Sequence, residues 1–436
     1  MRSTTDLPAS SVRYQVLGLL CLLSFILYLD RICISQAVSS IEAELGLSHT
    51  EMSFVLSAFT VAYGLFEVPI GHWGDRYGSR GVLARIAIWW SVFTMLTGAC
   101  NGLMALVVVR FLFGAGEAGA LPNMARVVAR WFPPGERGPA QGLVMTAALI
   151  GGAASPIFAE SLIQNLGWRW SFAALGIPGI VWAIIFYAWF RDDPAEHPAV
   201  NPAERNLLEV CRHQSTEHPS VPWKFVLAQA NLWLLGGIIS CGAFTTYMFF
   251  SWYPTYLKLA RGVDPLSASW FAGLVLASGA AGSLVGGFLS DFLVRRTGRR
   301  GIRCRIGIIA MTSAALAMAA SPHCDRNELA TACTAWACFA VHVQAAAWWG
   351  VVTDVSGKHL GALFGLMNSL GLPGAIGSQL FLGRFVDWMA SYGYEGRAQW
   401  DPSFNVYAIV LLVGAVAWYL VDADRSLIEP PKEVSV

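Results

Sequence analysis

A chain of 436 residues with 55% hydrophobic and only 13% charged side chains is too apolar for an ordinary soluble protein. Windows of roughly 20 apolar residues, the length a helix needs to cross a bilayer, recur all along it, and the alternating ten-residue segments of a membrane β-barrel are absent. The formal net charge of +1 says nothing about partners, and no nucleic acid is expected.

Apolar windows and breakers predict twelve transmembrane helices, at 14–38, 52–72, 82–101, 103–129, 139–163, 168–190, 229–257, 267–293, 304–320, 328–353, 359–388 and 403–422. The opening MRSTTDLPASSVRYQ has the basic flank of a signal peptide. The run behind it is long, contains Asp30 and Arg31 and lacks a small-residue cleavage site, so it is read as a retained first span. Six spans precede the one long polar stretch, 191–228, and six follow it. This predicts an N-terminal six-helix bundle (1–190), a linker (191–228) and a C-terminal six-helix bundle (229–436). Within the linker, Asn201, Pro202 and Glu204 have the pattern of an N-cap, an N1 proline and an N3 acid, so a short helix is expected there.

Loops after even-numbered spans are rich in arginine (Arg76, Arg80 and Arg85; Arg126, Arg130 and Arg137; Arg295 to Arg305), whereas the first two odd-numbered loops carry none. The positive-inside rule then puts the linker and both termini in the cytoplasm. One of these loops recurs: GHWGDRYGSRG (71–81) follows span two and GFLSDFLVRRTGRRG (287–301) follows span eight. Two halves of like topology sharing one loop are the parallel repeat of a two-bundle transporter. Gly71 and Gly287 would allow close helix approach. Asp75, Arg76 and Asp291 would form a cytoplasmic latch that gates transport, the acid meeting a helix N-terminus or an arginine. The nine cysteines are scattered, form no CxxC pair and read as packing residues.

Charges inside the spans are the informative ones, because each costs roughly 2.5–3.5 kcal/mol at a helix centre. The N-terminal half holds Asp30 and Arg31 in span one, and Arg110 and Glu117 in span four. Arg110 and Glu117 are seven apart, so they share one helix face about 10 Å apart in depth. That face can present a guanidinium to an anion and a carboxylate to a proton. Asp30 and Arg31 diverge by about 100° and need partners from elsewhere. Span one against span four meets this need, with Asp30 near Arg110 or Glu117 and Arg31 opening onto a cavity. Gly114, Gly116 and Gly119 argue for close packing of span four against a neighbour, expected to be span one. The competing reading is a purely structural ion-pair network, a costly way merely to hold a fold. From the C-terminal half, Tyr247 and Trp349, with their neighbours Trp252, Tyr253 and Trp348, are candidates to line the path; the alternative is a lipid-facing aromatic belt. His342 and Gln344 are weaker candidates, a packed histidine being more often hydrogen-bonded structure.

The twelve spans, the linker and the Gly-x-x-x-Asp-Arg-x-Gly loop together resemble the major facilitator superfamily. YLDR (28–31), RFLFGAGEAGALPN (110–123), WFPPGERGPAQG (131–142), GWRWSFAALGIPGIVWAI (167–184) and FFSWYPTYL (249–257) resemble one branch of it, the anion:cation symporters, and the match runs from about Val12 to the last span. The resemblance implies the major facilitator fold and transport of sugar acids such as galactonate, glucarate and hexuronates, or of aromatic acids. It implies proton coupling by Asp30 and Glu117, and substrate binding by Arg31, Arg110 and Tyr63, with the Asn368 amide available to sugar hydroxyls. One departure is Ala148, near the place where sugar-acid members often carry glutamine. It leaves room for a less polar acid.

No nucleophile elbow, metal-ligand spacing or phosphate-cradling loop appears, so the chain is not read as an enzyme and no cofactor or metal is expected. The expectation is a monomeric, multi-pass protein of a bacterial-type inner membrane, in contact with lipid, that moves a small organic anion with protons by alternating access. A monocarboxylic-acid transporter, a drug or metabolite exporter of the same fold and a non-transporting sensor are the alternatives; two deep arginines argue against the exporter.

Overall fold

The computed structural model describes residues 9–209, 222–423 and 427–428, without the side chains of residues 68, 71–77, 358 and 360–362. The described residues form helices and no strand. Among the described residues, eight helical stretches are long and apolar enough to cross a membrane: Val12–Leu45, Leu103–Trp131, Pro134–Trp189, Ala230–Ser251, Pro265–Thr297, Ile302–His323, Asn327–Ser356 and Arg397–Leu420. Pro134–Trp189 turns at Gly167 (φ 73°) and so supplies two expected spans. The remaining three are the helix His49–Tyr77, the helix Ser79–Thr97 and the interrupted pair Leu360–Ser369 and Leu372–Ser391. Most helices outrun the apolar windows by a few residues, because polar side chains carry the helix past its apolar part.

The helices group into two compact units, Met1–Ile41 with Ala58–Glu217, and Glu42–Ser57 with His218–Val436.

In the first unit, the helix Val12–Ile32 is clasped by Pro134–Trp189. Lipid gives helices no hydrophobic reason to associate, so small residues and hydrogen bonds do the work. Gly151 lies against the Phe25 backbone, Ser155 Oγ donates to the Leu29 carbonyl at 2.7 Å and the Trp182 indole donates to the Leu19 carbonyl at 2.8 Å. The helix Ser79–Thr97 packs on the same long helix, where a Cβ on Gly176 would meet the Ser91 carbonyl at 2.6 Å. Two acids cap helix starts. Asp192 Oδ1 accepts from the amides of Ser79 at 2.7 Å and Arg80 at 3.0 Å, behind Gly78 at φ 78°. Glu204, fully buried, accepts from the amides of Val12 and Arg13 and from the Arg13 guanidinium. The expected linker helix forms at Pro202–Glu209, with Asn201 Oδ1 accepting from the Glu204 amide at 2.9 Å.

In the second unit, Pro265–Thr297 packs along Asn327–Ser356. Gly279 faces Cys338 and His342, Gly282 faces the Phe339 backbone and Gly286 faces the Val343 backbone, one stripe at helical spacing. Nothing lies within 4 Å of a Cβ built on Gly287, so the close approach expected of that residue falls to its neighbour Gly286. Asp264 caps Pro265–Thr297 by accepting from the Ser267 amide at 3.0 Å, and these Ser267 contacts hold its carboxyl below the usual range. Asp387 Oδ2 accepts from the Thr50 amide at 2.7 Å. His49 meets Glu42 at 2.8 Å.

Candidate functional site

The first unit brings Asp30, Arg31, Arg110 and Glu117 together. Helical pairing is interrupted at Cys33, just after Arg31, where Val12–Ile32 gives way to Ile34–Leu45. It is interrupted again just after Glu117, before Ala120–Trp131. The chain stays hydrogen-bonded across both points, the Cys33 amide donating to the Leu29 carbonyl and the Ala118 amide to the Gly114 carbonyl, each at 3.1 Å.

Arg31 donates to Glu117 Oε1 through Nε at 2.7 Å and also through Nη2. Glu117 is 1% exposed and the Arg31 side chain 12%. Its second oxygen, Oε2, has no hydrogen-bond partner among the described residues. Arg31 carbon ζ sits 4.8 Å from the ring centre of Tyr28, 4.7 Å from Tyr63 and 5.3 Å from Phe59. Arg110 is boxed likewise, 4.4 Å from Phe113 and 5.3 Å from Phe59. Desolvated contacts of this kind hold a guanidinium by roughly 1–2 kcal/mol each without neutralising it. Asp30 is buried, and neither of its oxygens has a partner in hydrogen-bond geometry among the described residues. The Trp90 indole lies beside it, and Glu117 and Arg110 are within electrostatic reach.

This pairing differs from the expected one. Asp30 lies within electrostatic reach of both Arg110 and Glu117, as expected, but makes no ion-pair contact among the described residues; Glu117 takes Arg31, so Arg31 does not simply open onto a cavity. The neighbour of the glycine-rich face also differs. Gly114 lies against the Phe59 backbone, Gly116 against the Trp89 indole, and Gly119 against Ile70 and Ile86. These belong to His49–Tyr77 and Ser79–Thr97, not to span one. A Cβ at residue 114 would come within 2.5 Å of the Phe59 carbonyl oxygen. Gly114→Ala is therefore expected to destabilise the protein by about 1–3 kcal/mol, the usual range for overpacking. Thermal unfolding of detergent-solubilised protein reads this, and an unchanged midpoint would mean that the two helices part freely.

Tyr63 lies with its ring under Arg31, and Glu67 follows one turn on. Tyr28, Phe59 and Phe113 were not singled out from the sequence. The signal was present in helical spacing, Tyr28 three before Arg31, Phe59 four before Tyr63 and Phe113 three after Arg110. In the second unit, Asn368 is exposed at the end of Leu360–Ser369. Tyr247 is half-buried with its ring 5.8 Å from Phe250. Trp349 is half-exposed on Phe364 at 4.2 Å. Trp348 is buried and donates to the Leu235 carbonyl. His342 contacts the Cys338 carbonyl at 2.8 Å, and Gln344 accepts from the Trp418 indole at 3.2 Å, so both are occupied structurally. Asp291 pairs with Arg303 at 3.0 Å, and Arg303 also meets Asp354 at 3.5 Å. The acid has thus found an arginine in the first turn of Ile302–Ala320, within its own unit. The side chains of Asp75 and Arg76 lie outside the described residues. Among the described residues, no group of three His, Cys, Asp or Glu side chains is placed to hold a metal ion.

The model of the Major Facilitator Superfamily matches residues 20–378. A probable sulfoacetate transporter of Cupriavidus necator is 31% identical over 93% of this chain and 93% of its own length. A probable galactarate/D-glucarate transporter of Bacillus subtilis is 32% identical over 96% of each chain. A probable L-galactonate transporter of Escherichia coli is 31% identical over 84% of this chain and 81% of its own. Among solved structures, a bacterial homolog of the human lysosomal transporter Spinster superposes with a TM-score of 0.78 at 20% identity, covering 97% of this chain and 100% of that one. The xylose transporter of Escherichia coli superposes at 0.71 with 14% identity, covering 97% and 98%.

Proposed function

This chain belongs to the Major Facilitator Superfamily, in its anion:cation symporter branch, and from that premise we propose that it is a secondary active transporter coupling a small organic anion to protons. The carrying observation is the buried quartet. With both acids ionised, two arginines and two carboxylates sum to zero; each proton taken up adds one positive charge to a water-poor site and favours an anion. Asp30 and Glu117 hold the protons, and Arg31 and Arg110 bind the anionic head. Tyr63, Asn368, Tyr247 and Trp349 are the further substrate-binding residues of this reading. Protonating Glu117 releases Arg31 to the substrate. Deprotonation restores the Arg31–Glu117 pair and expels it. The bundles 1–190 and 229–436 alternate access across the linker 191–228, with Asp75, Arg76 and Asp291 as cytoplasmic gating residues. The protein works as a monomer in an inner membrane, with both termini cytoplasmic.

The relatives named for galactarate, glucarate and galactonate support a sugar acid as substrate. A second reading, a short acid with few hydroxyls such as a sulfonated acetate, has an observation of its own. Ala148 is fully buried on the long helix that faces span one and brings no amide, and the relative named for sulfoacetate is similarly close. Purified protein should be stabilised against heat by its substrate, by about 2.7 kcal/mol at a hundredfold excess over Kd. A thermal-shift panel of sugar acids, aromatic acids and short sulfonates at two pH values is expected to give one responsive class, with a larger shift at the lower pH. Equal shifts at both pH values would contradict proton linkage. No shift with any organic anion, alongside binding of an uncharged or cationic compound, would overturn the anion reading.

A further inference from the structure

We propose that Cys324 and Cys333 are joined by a disulfide on the outer side of the membrane, a covalent modification that fixes the outer end of the second unit. The proposal rests on the sidedness given above, in which the connection between Ile302–Ala320 and Asn327–Ser356 faces outward.

The two sulfurs are 4.0 Å apart. Bonding needs about 2.05 Å, a closure that side-chain rotation and slight backbone adjustment can supply. Both side chains are half-buried and hence open to a reagent. Little opposes the movement, since the other contact recorded for Cys324 Sγ is a long one to the Ala320 carbonyl at 3.5 Å.

The backbone around them is already held in place. Cys324 follows the short turn Ser321–His323 in extended conformation, and Cys333 lies in the second turn of the next helix. Ser321 Oγ donates to the Ala330 carbonyl at 3.1 Å and meets Thr334 Oγ1 at 3.2 Å, so turn and helix are tied beside the two sulfurs. Arg261 donates to the carbonyls of Ser321 at 3.3 Å and Cys324 at 2.8 Å. Arg397 donates to the Pro322 carbonyl. Arg261 also reaches Tyr256 Oη at 2.9 Å, which donates to Asp401 Oδ1 at 2.8 Å. Two other connections of the unit, those carrying Arg261 and Arg397, therefore converge on the turn that carries Cys324. Hydrogen bonds here are open to water at the membrane surface; a covalent bond is not loosened that way.

The chemistry needs an oxidant, taken to be a protein disulfide of the oxidising compartment outside the membrane. The thiolate of one cysteine attacks a sulfur of that disulfide and forms a mixed disulfide, and the second thiolate displaces it. One sulfur–sulfur bond forms in this chain and one breaks in the oxidant. Two electrons and two protons pass to the oxidant, which leaves as a dithiol.

The test uses the full chain in its own membrane. Cells are quenched in acid, free thiols are alkylated in denaturant without reductant, and the chain is cut with trypsin. Cleavage after Arg326 separates Cys324, in 306–326, from Cys333, in 327–358. The two peptides are expected to run as one species lighter by two hydrogens than their sum, and to separate on reduction. The species should vanish in Cys333→Ser and persist in Cys338→Ser, which removes the other cysteine of the same peptide. Recovery of both cysteines alkylated, or persistence of the bridge in Cys333→Ser, would overturn the proposal. Labelling of Cys324 by a membrane-impermeant maleimide in intact Cys333→Ser cells then separates the causes. Outside labelling of a chain whose thiols were free leaves the sidedness standing and refutes the bridge alone; labelling only after lysis refutes both.

Discussion

Glu117→Gln is expected to abolish proton-driven accumulation of substrate while leaving counterflow exchange intact. Gln keeps the length of the side chain and one acceptor oxygen for Arg31 Nε, which now donates to Glu117 Oε1 at 2.7 Å. What it loses is the negative charge and the capacity to exchange a proton. The resting pair is thereby weakened, Arg31 is permanently available to an anion, and the ion gradient has no group here to act on. Coupling between two bound species is typically ~1–3 kcal/mol, so the accumulation ratio should fall on the order of tenfold or more. Proteoliposomes read this directly, with a pH gradient imposed for uptake and unlabelled substrate inside for counterflow. Full gradient-driven accumulation by the variant would remove Glu117 from the coupling path. Asp30→Asn run in parallel locates any coupling that remains.

The largest effect on stability is expected from Arg31→Met. Met fills the space of the arginine stem but leaves the Glu117 carboxylate, 1% exposed, without its cation. Removing one partner of a buried ion pair costs about 3–5 kcal/mol, because the remaining charge is uncompensated. Combining it with Glu117→Gln removes that charge, so the double variant should recover most of the loss. Thermal unfolding in detergent of the wild type, both single variants and the double variant closes the cycle. A double variant as unstable as Arg31→Met alone would mean that the loss comes from the aromatic box of Tyr28, Phe59 and Tyr63 rather than from the ion pair.

How much of the site was legible follows from what each signal encodes. The charges announced themselves, since Asp30, Arg31, Arg110 and Glu117 stand in apolar runs where each carries a penalty. Their membership of one cluster was legible too, because the seven-residue spacing of Arg110 and Glu117 sets a shared face. The pairing was not. Spacing along one helix says nothing about which atom of another helix arrives opposite, and the structure gives Glu117 to Arg31. The glycines behave in the same way. Gly114, Gly116 and Gly119 signalled that something approaches closely, but a missing Cβ leaves room without naming the occupant, which proved to be Phe59, Trp89 and Ile70. The caps by Asp192 and Glu204 escaped notice because each acts on a helix more than a hundred residues away.

By itself, then, the sequence determined the membrane class, the order of the helices, the linker helix behind Asn201 and the four charges inside the spans. All of these depend on composition and on periodicity along one stretch of chain. Only the tertiary structure decided which charges meet and which helices the small residues admit, giving Glu117 rather than Asp30 to Arg31. The reason is physical. In a medium without water, burial costs are set residue by residue, whereas compensation for them depends on which side chain another helix happens to bring within about 3 Å.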